Sequence, residues 1–68
     1  MKSESMNLGR NLKRIRIEKK MTQGDIVRAL GFSRSFVSNI ESGKTNPTLD
    51  TITKLAKAIK VSPDELLK

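Results

Sequence analysis

Five polar side chains between positions 34 and 42 carry the most chemical information in this chain of 68 residues: Arg34, Ser35, Ser38, Asn39 and Ser42. Wound as a helix at about 100° per residue, they fall in one arc of about 140°, with Phe36, Val37, Ile40 and Glu41 on the opposite arc. The polar arc offers a guanidinium, three hydroxyls and an amide, and contains no acid. Such groups both donate to and accept from the edges of base pairs. A helix face that is only solvated more often carries Glu and Lys. The pattern therefore predicts a surface that reads duplex DNA.

Each residue has a sharper and a plainer reading. Arg34, at the front of this helix, can reach guanine O6 and N7 with two hydrogen bonds, or it can hold a phosphate. Asn39 can pair with adenine bidentately, or it is a solvated polar residue. Ser35 and Ser38 are permissive readers that let the backbone come close. Gln23 opens the preceding helix, where free amides favour an anion and its own amide adds a donor; otherwise it is an ordinary first-turn residue. Phe36 lies at the edge of the inward arc. Packing beneath the neighbouring helix competes there with contact to a sugar or a thymine methyl. Arg16 and Glu41 each border an apolar stripe, and a partly buried pair between them would orient the reading helix more than stabilise the fold.

These side chains need short helices to hold them. Leu8, Leu12 and Ile15 make one apolar stripe of a first helix, capped by Asn7 and running to about Lys19, with residues 1–6 a frayed terminus. Thr22 and Asp25 resemble a capping box opening a second helix over Gln23–Leu30, which Gly31 ends. Ser33 caps the third helix and Gly43 ends it. Lys44–Pro47 is a loop. Thr48 caps a fourth helix to about Lys60, with Ile52, Leu55, Ala56 and Ile59 inward. Ser62-Pro63-Asp64-Glu65 opens a last short helix. Strand-like alternation is absent, so the chain reads as all-α, one domain over residues 7–68.

Composition narrows the function. The formal charge is +7, which favours a polyanionic partner. Lys44 and some of Arg10, Lys13 and Arg14 are expected near DNA backbone, whereas Lys54, Lys57 and Lys60 read as a solvated face. With no Cys and no His there is no thiol nucleophile, imidazole base or zinc cluster, and no cofactor, metal or small-molecule ligand is expected. No apolar run approaches a membrane span, so a soluble, cytoplasmic protein is expected. The only aromatics are Phe32 and Phe36, too few for the stacking that single strands require.

From Leu12 to Leu67, LKRIR…MTQGDI…LGFSRSFVSNIESGKTNPTLDTITKLAKAIKVSPDELL resembles the Cro/CI-type (Xre-like) helix-turn-helix family. The resemblance implies a compact five-helix, lambda-repressor-like fold that binds palindromic operators as a homodimer. It implies base-reading roles for Arg34, Ser35, Ser38 and Asn39, and phosphate contacts by Gln23 and around Ser42, Lys44 and Asn46. It also implies an Arg16–Glu41 pair and a dimer surface on the last helix, drawn from Val61, Leu66 and Leu67. Three positions depart from the family pattern. Lys20 replaces a frequent Gly, so the first helix is expected to end less sharply. Gly24 replaces Glu or another polar residue, and Val27 replaces Ala.

The expected function is a sequence-specific, double-stranded-DNA-binding transcriptional regulator, a repressor foremost, and not an enzyme. It would read its operator through residues 34–42. The alternatives are an antitoxin-like interaction module that binds DNA for autoregulation, and a restriction-modification controller protein.

Overall fold

The computed structural model describes the backbone from Glu4 to Lys68 and the side chains from Asn7 onward. Five α-helices follow in order: α1 (Glu4–Glu18), α2 (Gln23–Leu30), α3 (Arg34–Glu41), α4 (Leu49–Ala58) and α5 (Pro63–Leu67). None of the described helices is long and apolar enough to cross a membrane.

Local side-chain chemistry starts three of them. Thr22 Oγ1 accepts from the Asp25 amide at 3.1 Å, and the Asp25 carboxylate accepts from the Thr22 amide at 2.8 Å, completing the capping box. Ser33 Oγ accepts from the Phe36 amide at 3.1 Å and Thr48 Oγ1 from the Thr51 amide at 3.2 Å. Each bond satisfies an amide that a helix start leaves without an intrahelical carbonyl. α5 differs from expectation, because the Ser62 hydroxyl makes no capping bond. The Glu65 amide donates instead to the Ser62 carbonyl at 3.0 Å, with Pro63 in the first turn.

α1 begins earlier than its sequence signals indicate. Asn7 lies inside the helix rather than capping it, and residues 4–6 of the expected frayed segment 1–6 are helical; positions 1–3 lie outside the described residues. Glu, Ser and Met are all tolerated in a helix interior, so nothing at 4–6 stops the helix before Asn7.

The helix ends are sharp. Lys20, expected to loosen the end of α1, adopts φ 60° and ends it as a glycine would. Its amide donates to the Ile17 carbonyl at 2.9 Å and the Met21 amide to the Arg16 carbonyl at 2.9 Å, a Schellman closure. Lys60 (φ 63°) ends α4 the same way, with Val61 N–H on the Ala56 carbonyl at 2.9 Å. Gly43 (φ 77°) does so for α3, as Lys44 N–H reaches the Asn39 carbonyl at 2.9 Å.

α1 packs on α3 and α5, α2 on α3 and α4, and α4 on α5. The core between them is Leu8, Leu12, Ile15, Ile26, Val37, Ile40, Ile52, Leu55, Ala56, Ile59 and Leu66. Leu66 corrects the expected dimer surface. It is fully buried within the monomer, and Asn11 Nδ2 donates to its carbonyl at 2.9 Å, tying α5 to α1. A side chain with no accessible area has none to offer a second copy. Val61 is half-buried against the same core, and Leu67 remains 47% exposed.

One close approach sets where α3 lies. A Cβ on Gly9 would stand 2.5 Å from the Ile40 carbonyl oxygen and 2.6 Å from that of Glu41. The backbone of α1 therefore touches the C-terminal carbonyls of α3 at a place where no other residue type fits.

Candidate nucleic-acid interface

α3 is divided sharply along its length. Val37 and Ile40 are fully buried, whereas Arg34, Ser35, Ser38 and Asn39 are all exposed. Gly31, at φ 73° with its amide on the Val27 carbonyl at 2.8 Å, makes the tight turn out of α2 that brings the two helices together. The four expected base-reading residues thus share one solvent face on an element anchored by its opposite face.

A polar network holds that element from behind. Arg16 Nε donates to Glu41 Oε2 at 2.6 Å and Arg16 Nη2 to Glu41 Oε1 at 3.1 Å, a bidentate pair. The remaining Arg16 Nη1 donates to the Met21 carbonyl at 2.8 Å. Gln23 Nε2 donates to Glu41 Oε1 at 3.1 Å. The expected Arg16–Glu41 pair is present, and Gln23 joins it, so α1, α2 and α3 converge on one carboxylate. The paired side chains are only 11% and 4% exposed. Desolvation offsets much of their attraction, and the network's contribution is to fix direction. Gln23 keeps one N–H and its carbonyl oxygen for another partner.

The other expected contacts fall at varying distances from a role. Lys44 and Asn46 are exposed in the segment following α3. Ser42 is exposed, but its hydroxyl donates back to the Ser38 carbonyl at 3.1 Å, with the Asn39 carbonyl at 3.3 Å. A hydroxyl has one proton to give, and a phosphate oxygen only accepts. Ser42 is therefore a poorer phosphate donor than its position implies. Phe36 is half-buried and meets Phe32 edge to face, with ring centroids 5.0 Å apart at 86°. Packing, one of its two readings, is present.

Among the cations, Arg10 and Lys13 are exposed, and Arg14 pairs with Glu18 at 3.4 Å one turn on. Lys54 pairs with Asp50 at 3.4 Å on α4, as a solvated face would. Asp25 is held below its ordinary carboxyl pKa of 3.8, chiefly by the Thr22 amide that donates to it and then by the neighbouring Arg28.

Three features escaped the sequence. Gly9 left a signal, a glycine inside an amphipathic helix, which marks the close approach of another backbone. Asn11 beside an apolar stripe had none. Leu49, 68% exposed at the first turn of α4, is the most exposed large apolar side chain among those described, followed by Ile17 at 55%.

This geometry has known counterparts. Residues 12–66 match a family model described as helix-turn-helix. The HTH-type transcriptional regulator y4dJ of Sinorhizobium fredii is 42% identical over 60 residues, covering 88% of this chain and 78% of that protein. The restriction-modification controller protein C.AhdI from Aeromonas hydrophila superposes with a TM-score of 0.85 at 34% identity, over 91% of this chain and 94% of that one. The controller protein C.Esp1396I, solved as a tetramer in complex with its natural 35 base-pair operator, superposes with a TM-score of 0.82 at 28% identity over 100% of both chains. With two helices set across a glycine turn, an anchored second helix and a family match over most of its length, the chain belongs to the helix-turn-helix family.

Proposed function

We propose that this protein is a sequence-specific regulator of transcription that binds duplex DNA by inserting α3 into the major groove. The observation that carries the reading is the pairing of an exposed Arg34–Ser35–Ser38–Asn39 face with a buried, network-held reverse face on the same helix. Arg34 and Asn39 read base edges; Gln23, Lys44 and Asn46 hold phosphates; Ser35 and Ser38 allow close approach. The function is binding, not catalysis. Two copies act together on a palindromic operator with half-sites one DNA turn, about 34 Å, apart. Leu67 and the accessible part of Val61 remain as the surface for a second copy, and Leu49 joins them as a more exposed apolar side chain.

Selection of bound sites from randomised DNA tests this reading, followed by shift assays on the selected site. Arg34→Ala should cost about 1–3 kcal/mol against one base pair and relax specificity there. Lys44→Ala should weaken all sequences alike and reduce the salt slope by about one. Failure to select any site, or equal loss on every duplex for both variants, removes sequence reading from α3.

A restriction-modification controller is the second reading, favoured by the near-complete mutual coverage with C.AhdI. It predicts a selected site long enough for four copies, as for the C.Esp1396I tetramer on its 35 base-pair operator. A single palindrome filled by two copies rejects it.

A further inference from the structure

We infer that Gly24 is a specificity-determining residue, whose missing side chain provides the seat against which the Arg34 guanidinium is aimed. The inference rests on the proposed base-reading role of Arg34. Arg34 begins α3, yet its side chain reaches back across the turn to the first turn of α2. Its Nη2 lies 3.2 Å from where a Gly24 Cβ would stand. Arg28 Nη1 lies 3.4 Å from the same point, so two guanidinium groups crowd one bare stretch of helix.

The charges explain why Arg34 rests there without being captured. Asp25, the residue after Gly24, already accepts from the Thr22 amide at 2.8 Å and is bonded to Arg28. Arg28 is thereby tethered, and it opposes a second cation approaching the same carboxylate. The start of α2 is itself electropositive and repels Arg34 further. Among the described residues no acceptor pairs with the Arg34 guanidinium. It lies exposed over a glycine, in space that a Cβ there would claim, with its donors free.

A side chain at position 24 changes that aim in a predictable direction. A methyl group meets the far ends of two flexible arginines at 3.2 and 3.4 Å and, at an ordinary contact distance of 3.5 Å, Thr22 Oγ1, so the fold accommodates it while Arg34 is pushed off its seat. A carboxylate at the same place would pair with Arg34 and withdraw its donors from a base. Arg34 can discriminate only while both of its N–H groups line up with one base edge, so a displaced guanidinium still attracts DNA but no longer selects.

The test uses the full chain with Gly24→Ala, Gly24→Glu, Arg34→Ala and the double variant Gly24→Ala/Arg34→Ala. Binding is measured to the selected operator and to duplexes carrying single base-pair changes, and thermal melting checks the fold. Gly24→Ala should melt no lower than wild type and lose about three- to tenfold in discrimination at the base pair read by Arg34, with other positions unchanged. Gly24→Glu should lose discrimination there as fully as Arg34→Ala. In the Arg34→Ala background Gly24→Ala should have no further effect on discrimination. Wild-type discrimination in Gly24→Ala, or an equal loss in the Arg34→Ala background, overturns the role of Gly24 while leaving Arg34 a reader. If Arg34→Ala itself weakens all duplexes equally, the base-reading assignment fails first and this inference falls with it.

Discussion

Replacing Gly9 by alanine sets two well-known effects against each other, and the structure decides the sign. Alanine is the better helix former by about 1 kcal/mol, so by propensity alone Gly9→Ala in the middle of α1 should stabilise the protein. The new Cβ, however, would stand 2.5 Å from the Ile40 carbonyl oxygen, 2.6 Å from the Glu41 oxygen and 2.9 Å from the Glu41 carbonyl carbon. A comfortable carbon–oxygen contact is about 3.3 Å or more, so the overlap is about 0.8 Å. The obstructing atoms are backbone and cannot rotate away. α1 and α3 must separate, which also strains the 2.6 Å and 3.1 Å bonds between Arg16 and Glu41. Overpacking of this kind costs about 1–3 kcal/mol, and a clash with two backbone carbonyls belongs at the upper end. After the propensity gain, the net loss is about 1–2 kcal/mol, or about 4–16 °C in Tm for a domain of this size. Thermal and urea melts followed by circular dichroism measure it. Gly24→Ala serves as the control, since its Cβ would meet only side-chain atoms at 3.2–3.5 Å. If Gly9→Ala melts at or above wild type, α1 and α3 do not touch as described and the account of how α3 is positioned is wrong.

Three further outcomes follow from the same packing. Glu41→Ala should cost about 3–5 kcal/mol in urea unfolding because it strands the Arg16 charge, and the double variant Arg16→Met/Glu41→Leu should be the more stable of the two. Lys20→Gly should stabilise by about 0.5–1 kcal/mol, the relief of a left-handed lysine less the extra chain entropy of glycine; an unchanged melt would mean Lys20 is unstrained. Asp25 has a carboxyl pKa depressed below 3.8, so its contribution is present above that value and lost as pH falls through the lower folded value. The Tm gap between wild type and Asp25→Asn should accordingly be open at pH 6 and narrow steadily below pH 4 in a melting series.

Much of this fold was legible because its signals are local. A cap needs one side chain and an amide three residues on, so Thr22, Ser33 and Thr48 announced α2, α3 and α4 without any knowledge of the core. The split between the two sides of α3 was equally readable, since it depends only on helical period. Most of what escaped depended on distant partners. Leu66 and Leu67 are adjacent in a helix of one turn, where periodicity has no room to say which faces inward; packing on α1 and the Asn11 bond decide it. Gly9 gains its meaning from carbonyls 31 and 32 residues away. Lys20 looked like a weak stop because glycine is the usual left-handed residue, yet closure by the Met21 amide imposes the same geometry on lysine. Gly24 looked like a mere departure from the family pattern until α3 brought Arg34 over it.

The outward row on α3 has a bearing on how such a protein diverges. Ser35, Ser38 and Asn39 are exposed, and among the described residues none of their side chains is bonded to another element. Surface exchanges free of such bonds usually alter stability by no more than about 0.5 kcal/mol. Under the proposed base-reading role, evolution can rewrite the protein's address by swapping these letters one at a time, while the scaffold beneath is inherited unchanged.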